Sequence, residues 1–321
     1  MTVPDEGPAE AVHVEDAGTD WAPCSDRSRE RGDDLGATGG LGMRWLLVEV
    51  DGAWGPHAFL DSPVLERTLG RAIAVRAERA GLRPVAVRRF GLRADQRRAR
   101  TTMRWAIADS RPGHEKLRWG TIEDHAELLD LPLDGTAGEP TDRPAFLICT
   151  HGRHDRCCAV RGRPVAAALA EAYPDETWEC SHLGGDRFAA TMILLPHGLY
   201  YGRVPAPAAV HLAAQYERGM IVPEHFRGRS ARTPAVQAAE DHARHQLGEK
   251  RLEALAPLAE ELGSGDEPTT VRLLRDDDEI VVTLRETWTE PLLSTCGARQ
   301  PFPVRRFEAV SMQVLPARGG H

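Results

Sequence analysis

The chain has 321 residues, of which 41% are hydrophobic, and a formal net charge of −8. This length suits two compact domains, or one large domain with appendages. No stretch approaches the roughly 18 apolar residues of a membrane span, and the N-terminus has no signal peptide pattern. We therefore expect a soluble, cytoplasmic protein with no membrane partner, whose thiols stay reduced unless a metal binds them.

Residues 1–42 carry most of the negative charge. They contain ten acidic residues and three arginines, a net charge of −7, which leaves −1 for the rest of the chain. A polar, acidic and glycine-rich composition predicts an acidic tail that is mostly disordered. Trp21 and Cys24 are the exceptions, and we expect them to be able to dock onto the body of the protein.

The segment 43–130 predicts a first α/β lobe. Its elements are, in order, a strand at 44–50, a helix at 62–80, strands at 83–89, 103–109 and 116–120, and a short helix from Thr121 or Asp124 to Leu129. Ser62 is the expected N-cap of the long helix, since Pro63 then takes its first helical position.

The stretch 83–104 is basic, with eight arginines against the single acid Asp95. Such a run can bind nucleic acid or an acidic partner protein. It contains no recognised nucleic-acid motif, and arginine is abundant throughout the chain. We therefore predict a solvated loop with snorkelling arginine side chains, whose stems lie along apolar surface, and no nucleic-acid partner.

The segment 143–220 repeats the order of the first lobe after a linker at 130–143 that is rich in glycine and proline. Its predicted elements are a strand at 145–149, a helix at 164–173, strands at 176–181, 189–195 and 199–204, and a helix at 207–218. This order is that of a thioredoxin-like unit, and strands alternating with helices favour an α/β sheet.

The segment 221–321 predicts an α+β appendage. Its predicted elements are helices at 234–247 and 250–262 and strands at 271–275, 280–285 and 304–315. The predicted fold class is thus α/β, with two thioredoxin-like lobes (βαβ followed by ββα) and the C-terminal appendage.

Potential metal ligands are concentrated in residues 149–188, which hold four of the six cysteines. Cys149 ends one predicted strand, and Cys180 and His182 end the next parallel strand. The C-terminal ends of parallel strands lie at one edge of a sheet, so the loops 149–158 and 180–186 should converge there. Thiols gathered in this way in a cytoplasmic chain indicate a metal or redox centre rather than a disulfide framework.

These two loops also carry a recognisable paired motif. Its positions are Cys149, His151, Gly152, Asp155 and Cys158, followed by His182, Gly184, Gly185, Asp186 and Ala189. The motif resembles that of the sucrase/ferredoxin-like proteins, and the likeness extends from Cys24 through Trp45 to the hairpin at 196–203. The resemblance implies a thioredoxin-like domain that carries a [2Fe–2S] cluster on two cysteines and two histidines. It also implies an electron carrier rather than an enzyme, with a redox protein as its partner.

One position departs from the family motif, because Asp186 stands where the second cluster histidine is expected. Cys149, Cys158 and His182 are then three expected ligands, and the fourth is open. Cys180 is the first candidate, since it is two residues before His182 on an extended strand and thiolate suits iron better than carboxylate. Asp186 is the second candidate and Cys157 the third.

The remaining cysteines and histidines of interest receive simpler interpretations. Cys24 and Cys296 are expected to be inert unless their loops fold over the site. His151 and His154 are expected to be loop residues or hydrogen-bond donors that tune the site.

Two other functions remain open at this point. The vicinal Cys157–Cys158 pair could exchange disulfides, with a nearby histidine lowering a thiol pKa. Cysteine and histidine ligands also suit a structural zinc ion. Nucleotide-binding motifs and hydrolytic motifs are absent from the sequence, so the other common enzyme classes have no sequence support.

Overall fold

The computed structural model describes residues 22–92, 96, 99–263 and 267–316, and within them the chain forms two sheets. The larger sheet consists of β1 (Arg44–Glu49), β2 (Arg83–Arg89), β3 (Met103–Asp109), β4 (Lys116–Ile122), β5 (Glu139–Thr141), β6 (Ala145–Cys149), β7 (Thr177–Cys180), β8 (Met192–Leu195), β9 (Leu199–Tyr201) and β10 (Phe226–Arg229). The smaller sheet consists of β11 (Ala256–Glu261), β12 (Thr269–Arg275), β13 (Asp278–Trp288) and β14 (Arg305–Leu315). The helices are α1 (Cys24–Glu30), α2 (Ala58–Asp61), α3 (Arg67–Arg79), α4 (Arg156–Ala172), α5 (Ala206–Glu217) and α6 (Pro234–Leu247).

The two halves of the larger sheet have the same strand arrangement. β1 pairs in parallel with β2 and antiparallel with β3, which pairs antiparallel with β4. β6 pairs in parallel with β7 and antiparallel with β8, which pairs antiparallel with β9. The predicted mixed α/β class is confirmed, and this repeated strand order is consistent with two thioredoxin-like units.

The halves are joined edge to edge into one sheet, in the order β10-β9-β8-β6-β7-β2-β1-β3-β4-β5. The junction is the antiparallel pairing of β2 with β7, which sets Val87 opposite Cys180 and Arg88 opposite Glu179. β5 and β10 are short edge strands that the sequence pattern did not predict. The other predicted strands lie within three residues of the observed strands at each end.

Two helices begin at residues other than those predicted. α4 begins at Arg156 rather than at Pro164, because the Asp155 carboxylate accepts a hydrogen bond from the Cys157 amide and caps the helix. α3 begins after Glu66, whose carboxylate accepts hydrogen bonds from two amides of the first turn. Ser62 does not cap that helix, since its hydroxyl donates to the Ala53 carbonyl.

The C-terminal segment packs α6 against the sheet of β11 to β14 through a shared apolar core. The predicted helix at 250–262 is wrong, because its second half forms β11. That strand pairs antiparallel with β12, with Ala256 opposite Leu274. The sheet contacts thus override a local composition that favours helix.

The segment 22–42 is ordered, so the prediction of disorder is wrong for this part of the tail. It contains α1, in which Cys24 is fully buried, and the Thr38 and Gly39 amides donate to the Arg227 carbonyl. Arg203 donates to the Ser28 and Asp33 carbonyl oxygens and so fixes the turn after α1. Residues 1–21, including Trp21, lie outside the described residues. Long-range contacts, which composition does not reveal, order this segment.

Several arginines of the basic stretch stack on aromatic rings. The guanidinium carbons of Arg88, Arg89 and Arg104 lie 4.2, 3.6 and 4.3 Å from the ring centres of tryptophans 54, 178 and 119 respectively. Arg88 and Arg89 lie in β2 and Arg104 lies in β3, so the predicted solvated loop is wrong for these residues, while 93–95, 97 and 98 lie outside the described residues. Among the described residues, no helix is both long enough and apolar enough to cross a lipid bilayer.

The Arg88–Glu179 pair at the junction of the halves provides a test of this architecture. Arg88 Nε and Nη2 lie 2.9 and 3.3 Å from the two Glu179 carboxylate oxygens, and both side chains are largely buried. Arg88→Ala should lower the free energy of unfolding by about 3–5 kcal/mol, because it leaves a buried carboxylate unpaired. Urea unfolding followed by circular dichroism measures this loss.

The matched control is Arg67→Ala, which removes an ion pair to Asp61 in which the arginine side chain is 75% exposed. We expect it to cost under about 1 kcal/mol. Equal, small losses in both variants would mean that the buried pair does not stabilise the junction.

Candidate metal centre

The ends of β6 and β7 bring the two predicted loops together at one edge of the larger sheet. Cys149 ends β6 and lies opposite Cys180, the last residue of β7. The first loop leads from Cys149 into α4, and the second leads from Cys180 into a short 3₁₀-helix that begins at Asp186. The convergence expected from strand order is therefore present in the fold.

We call the group formed there the sheet-edge site and define it by Cys149, His154, Cys158, His182 and Asp186. Asp186 is its centre: the Cys158 thiol donates to Asp186 Oδ1 at 3.1 Å, and His182 Nδ1 lies 3.1 Å from the same oxygen. His154 Nε2 lies 3.8 Å from Asp186 Oδ2, and its ring centre is 3.8 Å from that of His182. Cys149 belongs to the same buried core cluster as Cys158 and interacts with its thiol.

Glycines allow this close approach. Gly184 and Gly185 both have positive φ, at 98° and 79°, and this left-handed backbone turns the chain from β7 toward Asp186. A Cβ on Gly162 of α4 would lie 2.2 Å from the Cys149 carbonyl oxygen. Only glycine therefore lets α4 pack so closely against the end of β6.

The charges within the sheet-edge site compensate one another. Burial disfavours both charged forms, but the contact between them outweighs it: the Asp186 carboxylate raises the pKa of His182, and the His182 imidazole lowers the pKa of Asp186. The interaction between the two thiols lowers the pKa of Cys149 and raises the pKa of Cys158. His182 Nδ1 is buried and has no partner in hydrogen-bond geometry, in spite of its short distance to Asp186.

The two histidines of the first loop have different positions. His151 Nε2 donates to the Gly55 carbonyl at 2.6 Å, and burial lowers its pKa to about 4. His154 faces the second loop and belongs to a group of possible metal donors with His182 and Asp186, whose donor atoms lie within 4.8 Å of one another. Sequence reasoning treated His154 as a loop residue or a tuning donor, and its contact with the second loop depends on the fold rather than on a local spacing.

Cys180 lies in an apolar environment beside this site. It is fully buried in the core cluster that also contains Cys149 and Cys158. Burial, followed by the nearby Cys149 thiol, raises the pKa of Cys180 well above its ordinary value. Its surroundings therefore favour the neutral thiol.

A second group, which we call the three-thiol site, is defined by Cys24, Asp155, Cys157 and Cys296. The three sulfur atoms lie 3.2 to 3.6 Å from one another. Asp155 Oδ2 lies 3.7 Å from the Cys24 sulfur. Sequence reasoning allowed Cys24 and Cys296 as cluster ligands only if their loops folded over the cluster site. In the structure both cysteines instead lie beside Cys157, in this second group.

The adjacent residues Cys157 and Cys158 thus belong to different sites. Cys157 faces Cys24 and Cys296, whereas Cys158 faces Cys149 and Asp186. A hydrogen bond from Cys24 makes the largest contribution to lowering the pKa of Cys157 to about 6, although burial acts in the opposite direction. The same hydrogen bond, together with burial, raises the pKa of Cys24. This divergence does not favour disulfide exchange by the vicinal pair.

Comparison with known proteins identifies a family. The model of the sucrase/ferredoxin-like family matches residues 44–228, which is more than half of the chain, and the chain belongs to this family. The match includes the whole sheet-edge site but neither Cys24 nor Cys296. No curated protein and no solved structure matches the chain.

Asp155 links the start of α4 with the C-terminal segment, and its removal tests that link. Its two carboxylate oxygens accept hydrogen bonds from the Cys157 amide at 2.8 Å and from the Cys296 amide at 2.7 Å. Asp155→Ala should lower the free energy of unfolding by roughly 2–4 kcal/mol, because a helix cap is lost and a second amide loses its acceptor. Chemical unfolding of the metal-free protein measures the effect.

Thr233→Ala is the control, since Thr233 caps α6 through one amide. It should cost about 1 kcal/mol. Losses of equal size would show that the contact with Cys296 contributes nothing to stability.

Proposed function

We propose that this member of the sucrase/ferredoxin-like family transfers electrons through a [2Fe–2S] cluster bound at the sheet-edge site. The proposed ligands are Cys149, Cys158, His182 and Asp186. The observation that carries the proposal is the convergence of two thiols, an imidazole and a carboxylate from two loops at the ends of adjacent parallel strands. Family membership supports it independently.

The chemistry of these residues fits such a group. Thiolates are the usual ligands of iron–sulfur clusters, and imidazole replaces them where a higher potential is needed. Burial of Cys149 and Cys158 excludes water from the thiolates, and the interaction between the two thiols lowers the pKa of Cys149. The Nδ1 atom of His182 is buried with no hydrogen-bond partner, and once it is deprotonated a metal bond would satisfy its lone pair.

Asp186, rather than Cys180, is the proposed fourth donor. Asp186 contacts both Cys158 and His182 at 3.1 Å. Cys180 lies in the apolar core, in surroundings that keep its thiol protonated. Cys157 is also a poor candidate, since its sulfur faces the three-thiol site.

Position near the surface supports a role in electron transfer. When bound, a [2Fe–2S] cluster accepts and releases one electron. The side chains of His154 and His182 are 30% and 32% exposed, while the cysteines behind them are fully buried. The imidazoles therefore give a route from the buried thiolates to a docked redox protein.

The first experiment tests for the cluster itself. Protein purified without oxygen should contain iron and acid-labile sulfide in comparable amounts and absorb visible light. Cys149→Ala and Cys158→Ala should each remove most of the iron and sulfide, because each deletes a buried thiolate ligand. Iron and sulfide assays, together with the absorption spectrum, measure these changes.

Cys24→Ala is the control for a buried thiol outside the sheet-edge site, and its iron and sulfide should stay unchanged. Zinc that disappears in Cys158→Ala, with no sulfide in the wild type, would contradict the proposal and assign the site to zinc. If Cys157→Ala removes the iron and Cys158→Ala does not, the ligand assignment in the first loop is wrong.

The second experiment tests the fourth ligand. Asp186→Asn should weaken cluster binding or shift its spectrum, because it removes an anionic donor, while Cys180→Ser should leave the spectrum unchanged. Asp186→His should retain the cluster and raise its midpoint potential on the order of 100 mV, because a neutral imidazole replaces an anion. Absorption spectra and redox titration of the three variants provide the measurement.

Two results would overturn this assignment. Loss of the cluster in Cys180→Ser, with an unchanged spectrum in Asp186→Asn, would make Cys180 the ligand. Retention in Asp186→Asn, with loss in His154→Ala, would make His154 the ligand.

A further inference from the structure

The three-thiol site holds a second set of metal-binding groups, separate from the ligands of the proposed cluster. We propose that Cys24, Cys157 and Cys296 bind one zinc ion as thiolates, with the Asp155 carboxylate as the fourth ligand. Three of these side chains are buried, and Cys296 is partly exposed. The donor atoms of all four lie within 4.8 Å of one another.

The distances suit a tetrahedral ion. With zinc–sulfur bonds of about 2.3 Å, tetrahedral thiolates lie about 3.8 Å apart, and a sulfur and a carboxylate oxygen lie about 3.5 Å apart. The observed sulfur separations are 3.2, 3.5 and 3.6 Å, and Asp155 Oδ2 lies 3.7 Å from the Cys24 sulfur. Small side-chain movements therefore suffice to close the site on an ion.

The surrounding groups are those expected around metal-bound thiolates. The Cys24 amide points at the Cys296 sulfur at 3.5 Å, and the Ser25 hydroxyl points at the Cys157 sulfur at 3.4 Å. Such donors stabilise negative charge on sulfur. Each Asp155 oxygen accepts one amide hydrogen bond and keeps a second lone pair for a metal.

A disulfide would explain the arrangement less well. It joins two sulfurs at about 2.05 Å and so leaves the third thiol unused. Here three sulfurs are mutually close and a carboxylate lies beside them. A metal ion engages all four groups, and three thiol protons pass to solvent as the three zinc–sulfur bonds form.

The site would connect distant parts of the chain. Cys24 lies in α1, Cys157 in the first turn of α4, and Cys296 in the segment between β13 and β14. Zinc bound there would therefore fasten both the N-terminal segment and the C-terminal loop to the start of α4. This role is structural and does not depend on the cluster, since the two sites share no ligand.

Zinc content and affinity of the full chain test the proposal. Zn(II) or Co(II) is added to reduced protein without oxygen, in the wild type, in Cys149→Ala/Cys158→Ala, and in Cys24→Ser and Cys296→Ser. We expect one zinc per chain in the wild type and in the double variant. Cys24→Ser and Cys296→Ser should lower zinc affinity about 100-fold or more, because each removes a thiolate ligand. Co(II) should show thiolate charge-transfer absorption that weakens in both serine variants.

Hydrogen exchange gives a second readout that does not require the variants to fold. Removal of zinc from the wild type with a chelator should increase exchange of the α1 amides, while the amides of β6 stay protected. Cys180→Ser is the control for loss of a buried thiol, and its zinc affinity should equal that of the wild type.

Three results would overturn the proposal. They are unchanged zinc affinity in Cys24→Ser and Cys296→Ser, loss of zinc only in Cys149→Ala/Cys158→Ala, or a Cys157–Cys296 disulfide that persists under the reducing conditions of the assay and is detected by mass spectrometry. Failure of the cluster proposal is separate, since it appears as missing iron and sulfide in the wild type while zinc binding persists.

Discussion

Both sites depend on the hydrogen bonds that the Asp155 carboxylate accepts. It caps α4 through the Cys157 amide and holds the C-terminal segment through the Cys296 amide. Fixing the first turn of the helix also fixes the directions of its side chains, and successive helical residues point about 100° apart. Cys157 and Cys158 therefore reach two different sets of partners. One hydrogen-bonded helix cap thus directs two thiols that are adjacent in the sequence into two different sites.

Sheet topology provides the second constraint, because it decides which loops meet. Cys149 and Cys180 are register partners on parallel strands, so the loops that follow them begin side by side. Gly162 allows α4 to pack against the end of β6, and this brings Cys158 to the thiol of Cys149. The site is thus assembled by backbone contacts of the core, and its geometry does not depend on long surface loops.

Much of this organisation could be predicted from the sequence, because it rests on local patterns. Short β-rich runs marked the strands, and strand order predicted the meeting of the two loops. The rest of the organisation depends on contacts between residues that are distant in the sequence. Cys24 and Cys296 are 272 residues apart and become neighbours only through α1 and the C-terminal segment. The same limit explains the strand at Ala256–Glu261, where pairing with β12 outweighs the helical preference of alanine, leucine and glutamate.

Asp186, which stands where the resemblance led us to expect a histidine, has a physical explanation in its neighbours. A carboxylate that is 3% exposed needs compensating partners. Asp186 has the imidazoles of His182 and His154 at 3.1 and 3.8 Å and accepts a hydrogen bond from the Cys158 thiol. These contacts satisfy the carboxylate before any metal binds, so the loops can adopt their final arrangement in the metal-free chain. A second imidazole at this position would instead add to two neighbouring imidazoles and would supply no negative charge to balance a protonated His182. The aspartate therefore lets this site form as part of the folded core.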